Sequence, residues 1–311
     1  MEEAIASSII EGASTTRKIA KEMLKAKRKP KTRSERMIFN NYEAMQFVVS
    51  QKGTPLTPQL LIEIQKIITK GTLPNPEDEG RFRDNNDVVV GDPINPEIIA
   101  YIPPDYQKIS VLIEEFCNFA NKEGEEFIHP ILKGIILHFL IGYIHPFNDG
   151  NGRTARSVFY WYLLSKGYWL FEYMAVSRRI VRSRKDYDLA YLYTEYDEMD
   201  LTYFMKYLIE CIDDALKDMM EYIRQRQSEQ KSIKKIIEEI PGINIRQAII
   251  LEEFMKNPSK LFTIKEISNT YKVVYQTART DLLELAEKEI ISKKVSGKTF
   301  MFTFEGIPAK K

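Results

Sequence analysis

The 311 residues carry 45 Lys and Arg against 44 Asp and Glu, a net charge of +1, which removes any global electrostatic reason to expect nucleic acid or an anionic membrane as partner. The length suits one large domain and a small one, and Cys117 and Cys211, both in apolar stretches, read as buried thiols of a reducing compartment rather than as a disulfide. The acidic start Met1-Glu2-Glu3 lacks the pattern of a secretion signal, and the most apolar window, 131–144, is interrupted by Lys133 and His138 and is too short to span a bilayer, so a soluble cytoplasmic protein with no membrane partner is expected.

Residues 3–11 place Ala4, Ile5, Ser8 and Ile9 at helical spacing before Gly12, a natural stop. A helix this short is marginal in water and must dock on something. The basic stretch 18–36, broken at Pro30, reads as a solvated connector. Helical spacing resumes at Met37 and ends by Gly53; Thr57 then caps a helix with Pro58 at its first position and Leu60, Ile64, Ile67 and Ile68 on its buried face. Residues 72–104 are loop-rich and hold one hairpin-like strand, 87–91. Helices follow at 106–121 and 130–143, the second apolar on nearly every side and therefore expected at the centre, with His138 as a hydrogen-bonded core histidine. An aromatic-rich helix runs over 153–166 to Gly167, a basic segment over 177–193 contains Tyr187, and a long helix from Asp200 becomes highly charged from Arg224 onward, as an extension leading to a separate unit would.

Residues 245–305 change character. Helices are expected at 245–255, 263–268 and 275–285, followed by alternating Ile290, Val295, Phe300, Phe302 and Phe304 with a turn at Ser296-Gly297, the pattern of a β-hairpin. Three helices and a two-stranded wing resemble a winged helix-turn-helix domain. Gly297-Lys298-Thr299 is not a phosphate loop, because Ser292 stands where that motif needs its first glycine. Gln276, Thr277, Arg279 and Thr280, with Lys293, Lys294 and Lys298 on the wing, are candidate DNA contacts; Asp281, Glu284, Glu287 and Glu289 oppose them, so DNA and another protein stand about even as partners.

The chemistry concentrates in His145-Pro146-Phe147-Asn148-Asp149-Gly150-Asn151-Gly152-Arg153-Thr154-Ala155-Arg156. Glycines at 150 and 152 allow successive N–H groups to turn inward as an anion-binding nest. A helix starting near Asn151 would aim its free N–H groups and positive dipole end at the same anion, and would carry Arg153 and Arg156 on one face, three positions apart. Gly150-x-Gly152-x-x-Ala155 also fits the dinucleotide fingerprint, but the fifteen residues before it suit a helix and not the short strand that motif requires. His145 and Asp149 could be two ligands of a hydrolytic metal, yet no third ligand stands at a recognisable spacing.

This run resembles the signature of the Fic (AMP-transferase) family, His-x-Phe-x-Asp/Glu-Gly-Asn-Gly-Arg-x-x-Arg, at all of its defined positions. The resemblance implies a mainly α-helical Fic fold with a small β-hairpin flap over residues 1–240, joined to the winged helix at 241–311. It implies transfer of AMP from ATP to a Ser, Thr or Tyr hydroxyl of a target protein, and of the chain itself. By position, His145 would be the general base, Asp149 would hold Mg²⁺, Phe147 would anchor the loop, and Gly150, Asn151, Gly152, Arg153 and Arg156 would bind the phosphates, with Arg156 on the γ-phosphate. Ser7-Ser8-Ile9-Ile10-Glu11-Gly12 resembles the family's N-terminal inhibitory helix, about residues 3–12, so Glu11 would pair with Arg156 in a resting state. Gly80-Arg81-Phe82-Arg83, Val88-Val89-Val90-Gly91 and Tyr101-Ile102-Pro103-Pro104 resemble the flap that pairs with an extended target segment. The family often has a Tyr pair beside the adenine; here Tyr187 is kept, Asp186 replaces its partner, and the Asn a turn later has no clear equivalent, so base identity stays open. Also open are UMP or phosphocholine transfer, removal of AMP from a modified target, a transcription regulator with the Fic domain as ligand sensor, and homo-oligomerisation.

Overall fold

The computed structural model describes residues 1–91, 99–122, 127–297 and 299–306, and divides into two units, Met1–Met219 and Met220–Lys311. In the first unit, α1 (Glu2–Ile10) presents Ala4, Ile5, Ala6 and Ile10 to the protein, and α2 (Arg17–Lys25) is capped by the Thr16 hydroxyl. The connector expected over the basic stretch is therefore half wrong. Ala20, Met23 and Leu24 form a buried stripe while the Lys and Arg side chains face water, so the charges mask an amphipathic helix. Helix α3 (Arg33–Ser50) starts just past Pro30, and α4 (Pro58–Thr69) starts at the Thr57 cap with Pro58 at its first position.

Of the expected strand 87–91 only Val90–Gly91 (β1) pairs, antiparallel with Ile99–Tyr101 (β2); Val88 and Val89 are irregular, and Val89 is exposed. Helix α5 (Ile109–Asn121) leads to α6 (Pro130–Ile144), whose Ile135, Leu137, Phe139 and Ile141 have no solvent exposure. It is the central helix, and α7 (Asn151–Ser165) packs along it. Over the basic segment, α8 (Ser177–Arg182) and α9 (Arg184–Tyr196) are separated by a break at Ser183. Between α3, α7 and α8, α1 finds the docking partners its length requires. The unit boundary falls within α10 (Thr202–Glu239).

The second unit has its own core around Leu251, Phe254, Ile267, Leu282 and Phe302. It contains α11 (Ile245–Lys256), closed by an Asn244–Gln247 capping box, then β3 (Phe262–Thr263), α12 (Ile264–Tyr271), α13 (Tyr275–Glu287), β4 (Ile291–Ser296) and β5 (Thr299–Phe304). The sheet order is β3-β5-β4, all antiparallel, so the expected hairpin gains a short third strand at β5. Cys117 and Cys211 are free and buried, and among the described residues no helix is long and apolar enough to cross a membrane.

Candidate active site

Helix α6 ends at His145, whose backbone turns left-handed (φ 49°, ψ 57°) and throws the chain into the loop before α7. That loop is closed by Asn151, whose side chain accepts from the Phe147 N–H at 3.0 Å and donates to the Phe147 carbonyl at 2.7 Å. Phe147 is fully buried beside Phe82, with ring centroids 5.1 Å apart. Buried Arg83 holds the loop from outside: its Nε donates to the His145 carbonyl at 2.9 Å and its backbone N–H to the Pro146 carbonyl at 2.9 Å. At Gly150 φ is +88°, and a Cβ would stand 2.9 Å from Thr69 Cγ2, so both the turn and the close approach to α4 require glycine.

The His145 ring lines a cavity of about 480 Å³ together with Val90 and Gly91 of β1, Tyr101 of β2, Gly152 and Arg156 of α7, and Glu11. Its Nδ1 lies 3.1 Å from the Gly142 carbonyl, an acceptor only, so Nδ1 carries the hydrogen and Nε2 is left with its lone pair. Burial pushes the imidazole pKa below its usual value, against the opposing pull of the Gly142 carbonyl and of Glu11. It is thus a neutral base at pH 7.

Opposite it, Arg156 is almost wholly buried and donates through Nε to Ser7 Oγ at 2.7 Å, and through Nη2 to the Ser7 carbonyl at 3.1 Å and to Glu11 Oε1 at 2.7 Å. Among the described residues its Nη1 has no hydrogen-bond partner. Burial alone would raise the Glu11 carboxyl, but Arg156, then Arg153 and Arg184, hold it below the usual carboxylate value. The carboxylate lies across the start of α7: a Cβ on Gly152 would collide with Glu11 Oε1. The first N–H groups of a helix have no acceptor within it, so Glu11 occupies the place an anion would take.

The two arginines of the loop do different things. Arg153, read from the sequence as a phosphate ligand, is turned inward, with Nη1 on the Ile68 carbonyl at 3.2 Å and Nη2 on Asp149 Oδ1 at 3.3 Å. Asp149 Oδ1 also accepts from the Gly150 N–H, while its side chain remains 41% exposed. Among the described residues no group of three His, Cys, Asp or Glu could hold a metal; Asp149 offers a single carboxylate, which suits a cation held mainly by substrate phosphates and water.

Of the α9 wall the sequence reading singled out Tyr187 alone. Arg184, Asp188, Tyr191, Leu192 and Glu195 line the cavity beside it, and their spacing is one helical face. Tyr187 is held by His138, 2.9 Å from its hydroxyl to Nε2, and burial, reinforced by the Arg156 charge, keeps His138 neutral. Arg184 pairs with Asp188 at 2.9 Å and reaches the Ile10 carbonyl at the end of α1. A second anchor holds the other end of α1: buried Glu3 accepts from the Tyr160 hydroxyl at 2.8 Å and from the N–H and hydroxyl of Ser177.

In the second unit Gln276 is exposed and Thr277 and Arg279 half-buried on the first turns of α13; Lys298 lies outside the described residues. Two of the acids weighed against DNA are engaged inward: Asp281 is buried against Arg246, and Glu284 accepts from Gln247.

Residues 55–163 match the model of the Fic/DOC family. The chain is similar to Protein adenylyltransferase Fic of Culex quinquefasciatus, 29% identical over 165 residues, 53% of this chain and 29% of that protein. The protein of the same name from Nematostella vectensis is 26% identical over 177 residues, 56% and 37% of the two. The chain thus spans about a third of the length of these relatives. Among solved structures, a Fic family protein from Desulfovibrio desulfuricans G20 shares the fold with a TM-score of 0.63 at 18% identity, covering 99% of this chain and 88% of that one. Fic-1 from C. elegans gives 0.58 at 18%, covering 72% and 63%.

Proposed function

We propose that this chain, whose residues 55–163 match the Fic/DOC family model, transfers AMP from ATP to a hydroxyl of a target protein and of itself, under restraint by its own N-terminal helix. The observation that carries this reading is the juxtaposition, in one cavity, of a neutral histidine with a free Nε2, the open start of α7, and a buried arginine already gripping a carboxylate.

A target hydroxyl at His145 Nε2 gives up its proton to the ring as its oxygen attacks the α-phosphorus; the bond to the bridging oxygen breaks and pyrophosphate leaves. The N–H groups at the start of α7 and the guanidinium of Arg156 meet the charge on the phosphates without having to reorganise. Glycine at 152 leaves that approach open. Asp149 would hold Mg²⁺ through its exposed oxygen, and the ion would neutralise phosphate charge. Buried Arg153 serves by steadying Asp149 rather than by touching ATP. The paired backbone of β1 and β2 beside His145 suits an extended target segment added at the open edge.

In this reading Glu11 and a phosphate compete for the same donors, and the Glu11–Arg156 pair at 2.7 Å supports a restrained state. Incubation of wild type and Glu11→Gly with Mg·ATP, followed by intact-mass spectrometry, tests the reading. A gain of one or more adenylyl groups, larger in the variant, supports it; intact ATP and unmodified protein in both overturn it. The second unit we read as a winged helix that meets DNA or another protein; with DNA, Gln276, Thr277 and Arg279 of α13 would face the bases and Lys294 of the β4–β5 hairpin the backbone.

A further inference from the structure

The α9 wall of the cavity contains a carboxyl that the chemistry above leaves unused. Arg184 and Asp188 pair with each other, and the Tyr187 hydroxyl is bound to His138. Glu195 lines the same cavity, half-buried, and has no hydrogen-bond or ion-pair partner among the described residues. Its neighbours are aromatic: its charge bears on Tyr101 of β2 and on Tyr191 of α9. A half-buried, unpartnered carboxyl costs stability, and among the described residues of this cavity wall nothing in the resting state offsets it.

The cavity changes from charged to aromatic along its length. Glu11, Gly152, Arg156 and Arg184 gather where α1 ends and α7 begins. Glu195 is eleven residues beyond Arg184 on the same helical face, about 16 Å along the α9 axis at 1.5 Å per residue. A nucleoside triphosphate whose outer phosphates meet Arg156 reaches that far with its base. At that end the Tyr101 and Tyr191 rings offer aromatic surface, and Tyr101 is fixed by its hydroxyl on the Tyr143 carbonyl at 2.9 Å, while Tyr191 is packed on Phe139 and Phe204.

We propose that Glu195 reads the base of the bound nucleotide, accepting the exocyclic amino group of adenine on a carboxyl oxygen and so selecting ATP. Adenine presents that amino donor next to a ring-nitrogen acceptor. A carboxylic acid that keeps its proton matches both, with one oxygen accepting and the other donating. Burial pushes the Glu195 carboxyl up to about 7, so the protonated form is accessible as the base enters. Guanine carries an oxygen where adenine carries the amino group, and a site built around a buried hydrogen bond rejects the analogue that cannot make it.

The proposal rests on the nucleotide-transfer reading, and the test separates the two. Dissociation constants of ATP, GTP and inorganic tripolyphosphate are measured calorimetrically for the full chain carrying Glu11→Gly, which frees the phosphate donors, and for the same chain with Glu195→Ala or Glu195→Gln added. ATP is expected to bind more tightly than GTP. Glu195→Ala should weaken ATP roughly tenfold, the loss of one hydrogen bond to a charged or strongly polar group, and leave tripolyphosphate unchanged. Glu195→Gln, whose amide offers the same acceptor beside a donor, should keep ATP close to the parent. If ATP is unmoved by Glu195→Ala, or ATP and tripolyphosphate weaken alike, the inference fails and nucleotide transfer stands. If GTP is preferred and that preference depends on Glu195, the assignment to adenine fails. If neither ATP nor tripolyphosphate binds, both readings fall.

Discussion

Replacing Glu11 by glycine should speed the proposed transfer, the opposite of what most active-site substitutions do. The pair it breaks joins a guanidinium that is 3% exposed to a carboxylate that is 29% exposed, over 2.7 Å. A hydrogen bond to a charged group is worth roughly 1.5–3 kcal/mol, and each 1.36 kcal/mol is about a factor of ten in rate when the interaction exists only in the resting state. Transfer should therefore rise by about one to two orders of magnitude. The helix itself should stay docked, because Arg156 still holds Ser7 and because Glu3 still sits against Ser177 and Tyr160. Self-adenylylation with labelled ATP, alongside hydrogen exchange of residues 2–10, measures both. Arg156→Ala breaks the same pair but would also remove the proposed γ-phosphate contact, so it should not activate. An unaccelerated Glu11→Gly would refute the reasoning, and so would an activated Arg156→Ala. Acid should not substitute for the mutation near neutrality: with its pKa held below the ordinary value of about 4.5, Glu11 remains charged above that pH, and the pair is lost only as the pH falls through the lower, folded value.

Further outcomes are expected from the same geometry. His145→Ala should cut transfer by about 10²–10⁴ while leaving ATP affinity within a few-fold, whereas Asp149→Ala should weaken Mg·ATP as well; equal loss of binding in both, read by calorimetry, would contradict their assigned roles. Because burial lowers the His145 pKa, the acid limb of kcat/KM should lie below about pH 6.5, and should move lower still in Glu11→Gly, where a negative charge that favours the imidazolium is gone. Glu3→Ala leaves the Ser177 donors buried without an acceptor and the Tyr160 hydroxyl only the Met174 carbonyl at 3.4 Å, a loss of roughly 1–3 kcal/mol that should lower the melting temperature and release α1 as a whole, raising exchange over residues 2–10 where Glu11→Gly does not. For the second unit, duplex affinity of the full chain should fall steeply with added salt; Arg279→Ala should relax sequence preference and Lys294→Ala weaken all sequences alike, and no shift with any duplex at low salt would favour a protein partner.

What could be read in the sequence was local. A helix end, a two-glycine turn and a new helix lie between His145 and Arg156, and the residues that mark them stand in the local sequence, whereas the left-handed turn at His145 and the hold of Arg83 on the loop came from the structure. Apolar periodicity likewise marked α6 as the central helix, because an all-apolar surface has to be buried whatever surrounds it. Periodicity does not say against what. Arg153 and Arg156 share a helical face, yet one turns to Asp149 and the other to Glu11, a choice made by the approach of α4 and α1 from elsewhere in the chain. The face of α9 that lines the cavity mixes Arg184, Asp188 and Glu195 with tyrosines and a leucine, so no hydrophobic pattern announces it. The charges of α2 hid its apolar stripe for the same reason. The meeting of Glu11 with Arg156 across 145 positions was expected only through the resemblance of residues 7–12 to an inhibitory helix; no local rule carries it, since only the packing of α1 against α3, α7 and α8 brings a carboxylate to the start of α7, where its burial is offset by a buried cation.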